Sequence, residues 1–244
     1  MAAVYSRSYR VFSSSMRVHW LQHAEHEGLG CIEPWLRARG HRVRGTRLQR
    51  GEELPGPDDF DWLIVMGGPM NIYEHDRHPW LIQEKFLIRD ACVNKKQVLG
   101  ICLGSQLLAD VLGGAVSENE EPEIGWFDVS LSDEARQSKY FADFPDTFAA
   151  FHWHGDTFRL PPGATPLMSS EACSRQAFSW GEGRVLGLQF HLEVEFEDAR
   201  RWLETDAPEP RRYVQSAAEI LREPARFAET RHLMHGLLGR IAPG

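Results

Sequence analysis

The sequence predicts a doubly wound α/β fold with a mostly parallel sheet and a C-terminal helical extension. Three observations predict it. Short apolar runs at residues 62–66, 97–101 and 184–190 are bounded by Gly, Pro or charge and read as strands buried on both faces. Segments with apolar positions at helical spacing lie between the early runs. Glycines close those segments where a helix C-cap needs them.

Residues 1–15, MAAVYSRSYRVFSSS, contain Ser and Arg but no acid. That is the composition of an organelle transit peptide. The competing and favoured reading is a disordered or mis-started extension, because a strand-like run, MRVHWLQH, begins at Met16. The first strand is expected at residues 18–21. A helix from about 29 to 39 stops at Gly40, and the run at 62–66 forms the next strand. A helix over 80–93 leads to the strand at 97–101, and a helix over 105–112 is closed by Gly113 and Gly114. Residues 123–179 differ in character. Short segments, turn residues and an extended Phe-His-Trp-His stretch predict further strands with an antiparallel excursion. After the run at 184–190 the chain is charged, amphipathic and helical from about residue 195, broken at Asp206-Ala-Pro-Glu-Pro210. The expected division is an extension at 1–15, a catalytic-type domain at 16–198 and a helical segment at 199–244.

The chain has 244 residues and a net charge of −8, so it is not built to neutralise phosphates, and no nucleic-acid partner is expected. No apolar run approaches bilayer length, so no membrane partner is expected either. Cys31, Cys92, Cys102 and Cys173 form no CxxC pair. That spacing argues against a disulfide scaffold or zinc ribbon and fits a reducing, cytoplasmic location.

The strongest local signal is Gly100-Ile-Cys-Leu-Gly104, followed by Ser105 and Gln106. A strand enters, Cys102 sits at the turn and a helix leaves. Glycines on both sides permit the close backbone approach that such a turn needs. The helix N-terminus favours a thiolate, and the Leu103 N–H points toward an oxyanion above the sulfur. The competing reading is a buried structural cysteine in a glycine-rich turn. Gly187-Leu-Gln-Phe-His-Leu-Glu193 places His191 and Glu193 two apart at a strand end, where both side chains face one side. A base and its orienting carboxylate fit that arrangement; an exposed strand end would also carry such residues, and Glu195 continues the alternation as a rival orienter. Met66-Gly-Gly-Pro-Met70 follows another buried run, and the Gly68 N–H is a candidate second oxyanion donor. An ordinary strand-to-helix turn would use the same residues.

Together, a strand ending in GGP, a G-x-C-x-G-x-Q elbow and a later H-x-E resemble the class I glutamine amidotransferase family over about residues 16–195. The resemblance is greatest to stand-alone members similar to the glutaminase domain of GMP synthase, which carry elements like Glu123-Ile-Gly-Trp126, His152-Trp-His-Gly-Asp156 and Ser169-Ser-Glu-Ala-Cys173. It implies a flavodoxin-like fold and a domain of that type at 16–198. Cys102 is implied as nucleophile, His191 as general acid and base, and Glu193 as third triad member. Gly68 and Leu103 are implied as oxyanion donors, with Gln106, His154 and Asp156 at the substrate. One departure is Leu192, where many members have proline; the triad is untouched, but the strand end loses a stiffening residue.

The implied substrate is glutamine or a γ-glutamyl small molecule, cleaved through a thioester. No cofactor is expected. His152, His154 and Asp156 begin an H-x-H-x-D-H metal pattern, but Thr157 stands where the next histidine belongs, so no metal is expected. The same holds for His19, His23 and His26, expected at a strand end and the following loop. Trp126, Trp153 and Trp180 are expected mainly in core packing. The 244 residues leave no room for a synthase domain. Three readings remain: a glutaminase subunit with a separate synthase partner, a free-standing γ-glutamyl peptidase or hydrolase, or a non-catalytic binding protein retaining the fold. An α/β-hydrolase is disfavoured because the carboxylate follows the histidine.

Overall fold

The computed structural model describes residues 15–242. The extension expected at 1–15, and with it the transit-peptide reading, therefore falls almost wholly outside the described residues. Ser15 itself donates from Oγ to the Gly40 carbonyl at 2.7 Å.

The elements in order are β1 (Arg17–Gln22), α1 (Ile32–Ala38), β2 (Arg42–Arg47), β3 (Trp62–Val65), α2 (Trp80–Val93), β4 (Gln97–Ile101), α3 (Leu103–Val111), β5 (Ala115–Leu131), α4 (Asp133–Gln137), β6 (Thr147–Arg159), β7 (Thr165–Ser169), β8 (Ala177–Trp180), β9 (Val185–Leu188), α5 (Phe196–Thr205), α6 (Ala217–Ile220) and α7 (Ala225–Ile241). Nine strands form one sheet in the order β2-β1-β3-β4-β9-β8-β7-β5-β6. The half from β2 to β9 is parallel throughout. The half from β9 to β6 is antiparallel, which is the excursion expected from residues 123–179.

The apolar runs are continuous because both faces of the parallel half are covered. Ile64, Leu99, Leu186 and Leu188 pack on one side with Ile32 and Leu36 of α1 and Leu237 and Leu238 of α7. Leu63, Val65, Val98 and Val185 pack on the other with Leu81 and Ile88 of α2 and Leu107 and Leu108 of α3. Each such buried aliphatic side chain contributes about 1.5–3 kcal/mol relative to exposure. A third cluster, with Trp126, Phe151, Trp202 and Phe227, lies where α5, α6 and α7 cover the antiparallel half. No helix among the described residues is long and apolar enough to cross a membrane.

Three boundaries differ from the sequence expectation. Helix α1 starts at Ile32 rather than near 29, because Gly30 adopts a left-handed φ of 49° and sends Cys31 N–H to the Glu193 carbonyl at 2.9 Å. Helix α3 starts at Leu103, directly after Cys102, rather than at 105. The run at 184–190 is strand only over Val185–Leu188. His191 and Glu193 therefore lie past the strand end, and the alternation argument for their shared side does not apply. His191 is held by a single bridge to Phe151 on β6, its N–H donating to the Phe151 carbonyl at 2.7 Å.

Candidate active site

The carboxyl ends of β3, β4 and β9, together with the loop after β1, border a cavity of about 630 Å3. Ligands in parallel α/β sheets bind at this end. Cys102 sits at its floor, 7% exposed, with φ 51° and ψ −110°. That conformation is sparsely populated by side-chain-bearing residues, and its surroundings impose it. The Cys102 N–H donates to the Leu188 carbonyl at 2.7 Å, and Ser105 Oγ donates to the Cys102 carbonyl at 2.7 Å. The flanking glycines are required by space. A Cβ on Gly100 would lie 2.5 Å from the Gly104 carbonyl, and one on Gly104 would lie 2.1 Å from the Val65 carbonyl.

His191 reaches this floor from beyond β9. Its Nδ1 donates to Glu193 Oε1 at 2.6 Å, and Glu193 Oε2 accepts the Leu192 N–H at 3.1 Å. Both residues are 1–2% exposed. The Trp202 ring of α5 packs edge-on against the imidazole, centroids 5.2 Å apart. Burial opposes protonation of His191, but the charge of Glu193 and the nearness of Cys102 outweigh it and hold the imidazole well above its ordinary pKa. Although Cys102 contributes to that shift, the Nε2 of His191 has no hydrogen-bond partner among the described residues. The sulfur is turned instead toward the Trp153 carbonyl, 3.6 Å away. Catalytic hydrogen bonds commonly tighten only when substrate binds. Glu195 takes no part: it caps α5 in a capping box with Asp198 and pairs with Arg231.

The glycine loop after β3 closes one wall. A Cβ on Gly67 would lie 3.4 Å from His191 Cε1 and 3.6 Å from Cys102 Cβ. Gly68 and Leu103 both line the cavity. The Gly68 N–H makes no hydrogen bond among the described residues, and the N–H of Leu103, first in its helix, has no intrahelical acceptor. Gln106 also lines the cavity, its Nε2 donating to Gln189 Oε1 at 3.3 Å, while Gln189 Nε2 approaches Cys102 Sγ at 3.8 Å. Asp156 accepts from Asn71 Nδ2 at 2.6 Å. His154 lines the cavity too; one ring nitrogen is hydrogen-bonded and the other has no hydrogen-bond partner among the described residues. Nδ1 donates to the Asp156 carbonyl at 3.0 Å and Nε2 faces Glu123 Oε2 at 3.1 Å.

Glu123, His152 and His154 bring three ligand-type atoms together, a grouping the His-x-His spacing alone did not reveal. Both ring nitrogens of His152 and Nε2 of His154 lack a hydrogen-bond partner among the described residues. Glu123 already accepts from Ser170 and Gln176, each at 2.6 Å. Burial pushes His152 down to about 3 despite the opposing charge of Glu123. Sequence reasoning also missed Glu27, Trp202 and Gln189. Glu27 lines the cavity, and burial pushes its carboxyl above the usual range against the pull of His191 and His23. With Glu118, Asp156 and Asp206 it makes the lining acidic, and no Lys or Arg stands among the lining residues. Trp153 lines the cavity, whereas Trp126 is buried in the third core cluster and Trp180 donates to the Pro162 carbonyl.

The family model for glutamine amidotransferase class-I matches residues 32–206. The glutamine amidotransferase-like protein YfeJ of Salmonella typhimurium is 34% identical over 214 residues, covering 84% of this chain and 89% of that protein. One component of the glutamine-hydrolysing GMP synthase of Ignicoccus hospitalis is 33% identical over 158 residues, covering 63% of this chain and 79% of that protein. Among solved structures, a glutamine amidotransferase from Thermotoga maritima superposes with a TM-score of 0.82 at 33% identity, covering 93% of this chain and 98% of that one.

Proposed function

Since the chain belongs to the class I glutamine amidotransferase family, we propose that it hydrolyses the side-chain amide of glutamine, or of a γ-glutamyl compound, through a thioester on Cys102. The observation that carries this reading is the state of His191. One ring nitrogen is clamped by Glu193 at 2.6 Å, and the other is buried, unpartnered and beside the Cys102 elbow. A nucleophile, a base and an orienter of the base are the parts covalent acyl transfer needs.

In this mechanism the Cys102 thiolate attacks the γ-carboxamide carbon. The resulting oxyanion lies between the N–H groups of Leu103 and Gly68. Protonated His191 gives its proton to the departing amine, and the carbonyl re-forms as a thioester. His191, now neutral, takes a proton from water as it attacks the thioester, and the carboxylate product leaves with Cys102 restored. Glu193 keeps Nδ1 protonated and Nε2 available throughout. Gln106 and Asp156 are the proposed substrate contacts. His154, held through Nδ1 by the Asp156 carbonyl and lining the same wall, is a third. No step draws on a metal or cofactor.

In the glutaminase form of the reading, ammonia passes to a separate synthase protein, as the match to one component of a GMP synthase suggests. The γ-glutamyl hydrolase form is favoured by the cavity. About 630 Å3 lies within the range of roughly 300–1,000 Å3 that holds drug-sized ligands and exceeds what one amino acid needs. The four described cysteines are free and buried, which supports a reducing, cytoplasmic setting for the proposed enzyme. Ammonia or amine release from glutamine and from γ-glutamyl amides tests the reading. Turnover by the wild type, lost at least about a thousandfold in Cys102→Ser, is expected; full turnover by Cys102→Ser would exclude it.

A further inference from the structure

Gly67 and Gly68 share one peptide plane, and a trans peptide points its C=O and N–H in opposite directions. Whatever holds the Gly67 carbonyl therefore aims the Gly68 N–H. That holder is His23, in the loop after β1. Its Nδ1 lies 2.9 Å from the Gly67 carbonyl, and its Nε2 lies 2.7 Å from Glu84 Oε1 on α2. A carbonyl oxygen only accepts, so Nδ1 must donate to it. The pair is sealed from water, with His23 1% and Glu84 0% exposed, under the ring of Trp80.

The loop has no freedom to tilt away. A Cβ on Gly68 would lie 2.7 Å from His23 Cβ and 3.0 Å from Leu103 Cδ2, so the loop is wedged between His23 and the Cys102 elbow. The second carboxylate oxygen of Glu84 has no hydrogen-bond partner among the described residues. A buried pair with one oxygen unsatisfied is a poor device for stability alone, since an apolar pair of like volume commonly does as well or better. It is a good device for fixing a dipole. A charged donor on the Gly67 carbonyl also polarises the peptide and strengthens its N–H as a donor. Burial lowers the proton affinity of His23, but Glu84 and the Gly67 carbonyl outweigh it and raise its pKa above the ordinary value.

We propose that His23, backed by Glu84, is a positioning residue that fixes the Gly67–Gly68 peptide so that the Gly68 N–H meets the oxyanion formed at Cys102. The inference rests on the Cys102 reaction proposed above. Neither residue touches substrate; both act through the peptide.

The test compares wild type, His23→Leu combined with Glu84→Leu, His23→Asn and His23→Gln. The double-leucine chain leaves no buried charge behind. Asparagine keeps a donor near the Nδ1 position, and glutamine places its amide near Nε2 instead. The kcat of the double-leucine chain is expected to fall about 10²–10³-fold, the loss typical of one oxyanion donor, with KM little changed. Alkylation of Cys102 by iodoacetamide forms no oxyanion and is expected to keep its wild-type rate. His23→Asn is expected to turn over at least tenfold faster than His23→Gln. Should the double-leucine chain not fold, the Asn and Gln contrast decides alone. Wild-type kcat in the double-leucine chain, a parallel loss of alkylation, or equal activity of Asn and Gln would overturn the inference while leaving the Cys102 reaction standing. A wild type that releases nothing from glutamine or γ-glutamyl amides would instead remove the Cys102 reaction and this inference with it.

Discussion

At Cys102 the backbone sits where glycine would be more comfortable, and under the proposed reaction chemistry rather than stability accounts for the side chain. Its φ of 51° with ψ −110° costs about 1–3 kcal/mol for a residue with a Cβ. Cys102→Gly is therefore expected to be more stable than Cys102→Ala by about 1 kcal/mol, although glycine is ordinarily the less stable of the two. Denaturant midpoints check this, and the ordinary order would show the elbow to be unstrained. Two buried histidines carry a pH signature. Burial lowers His19 to about 4 and His152 to about 3. The unfolded chain protonates both near pH 6.5, so stability falls as pH drops from about 6.5 toward those values and levels off below them. His23 and His191, both raised, are protonated in both states over that window; their contribution is lost as pH rises through their folded values. His152→Leu is expected to flatten the acid limb by up to about 1.4 kcal/mol per pH unit, measured by denaturant unfolding between pH 6.5 and 4.5. An unchanged slope would mean that His152 takes up its proton in the fold. Cys102 stood out in the sequence because the elbow glycines are a local signal; His191 and Glu193 were picked out by an i, i+2 spacing that presumes a strand, and the strand ends at Leu188, short of both. His23 and Glu84 lie 61 positions apart on a loop and a helix, and no spacing rule joins them. Glu27 and Trp202 were hidden for the same reason.

Among the elements, β3 and β4 were readable because burial on both faces leaves an uninterrupted apolar run, and α2 because both its ends fall where the pattern changes. The end of β9 was not readable. The pattern runs on to Phe190, but the strand ends at Leu188, and beyond it the chain is held by separate hydrogen bonds from Gln189 N–H to the Gln176 carbonyl and from His191 N–H to the Phe151 carbonyl. The turn ahead of α1 shares in that departure. Gly30 lies against Glu193, where a Cβ would stand 2.0 Å from the carbonyl oxygen, and its φ is 49°. Gly30→Ala is expected to destabilise the fold by about 1–3 kcal/mol and to lower kcat more than it raises KM, because the displaced segment carries the orienter of His191. Thermal unfolding with steady-state kinetics measures both. A loss of stability with normal kcat would show that the segment relaxes without moving Glu193. The register break in β5 between Glu118 and Glu123 was not foreseen either. Glu118, at the edge of the break, and Pro122, among the skipped residues, line the cavity, so an irregularity in the antiparallel half shapes the site at the parallel half.

For the molecule as a whole, the sequence suggested a boundary near residue 198, with helices beyond it as an extension. The packing argues for a single unit. Met234, Leu237, Leu238 and Ile241 of α7 belong to the same core cluster as Ile64 and Leu99 of the central strands. A chain ending before Ala225 is expected to lose cooperative unfolding rather than to leave an intact catalytic domain, as calorimetry would show; a sharp transition near the wild-type Tm would restore the boundary. The acid-lined cavity bears on what happens once cleavage is complete. Under the proposed reaction a neutral amide enters and a carboxylate is left behind. Glu118, Asp156 and Asp206 line the cavity that holds that new charge, no lining Lys or Arg offsets it, and the imidazolium of His191 is already paired with Glu193. Electrostatic repulsion then hastens clearance, so the enzyme resists clogging by what it makes. Glutamate is expected to inhibit weakly, and more weakly still as salt is removed and screening declines.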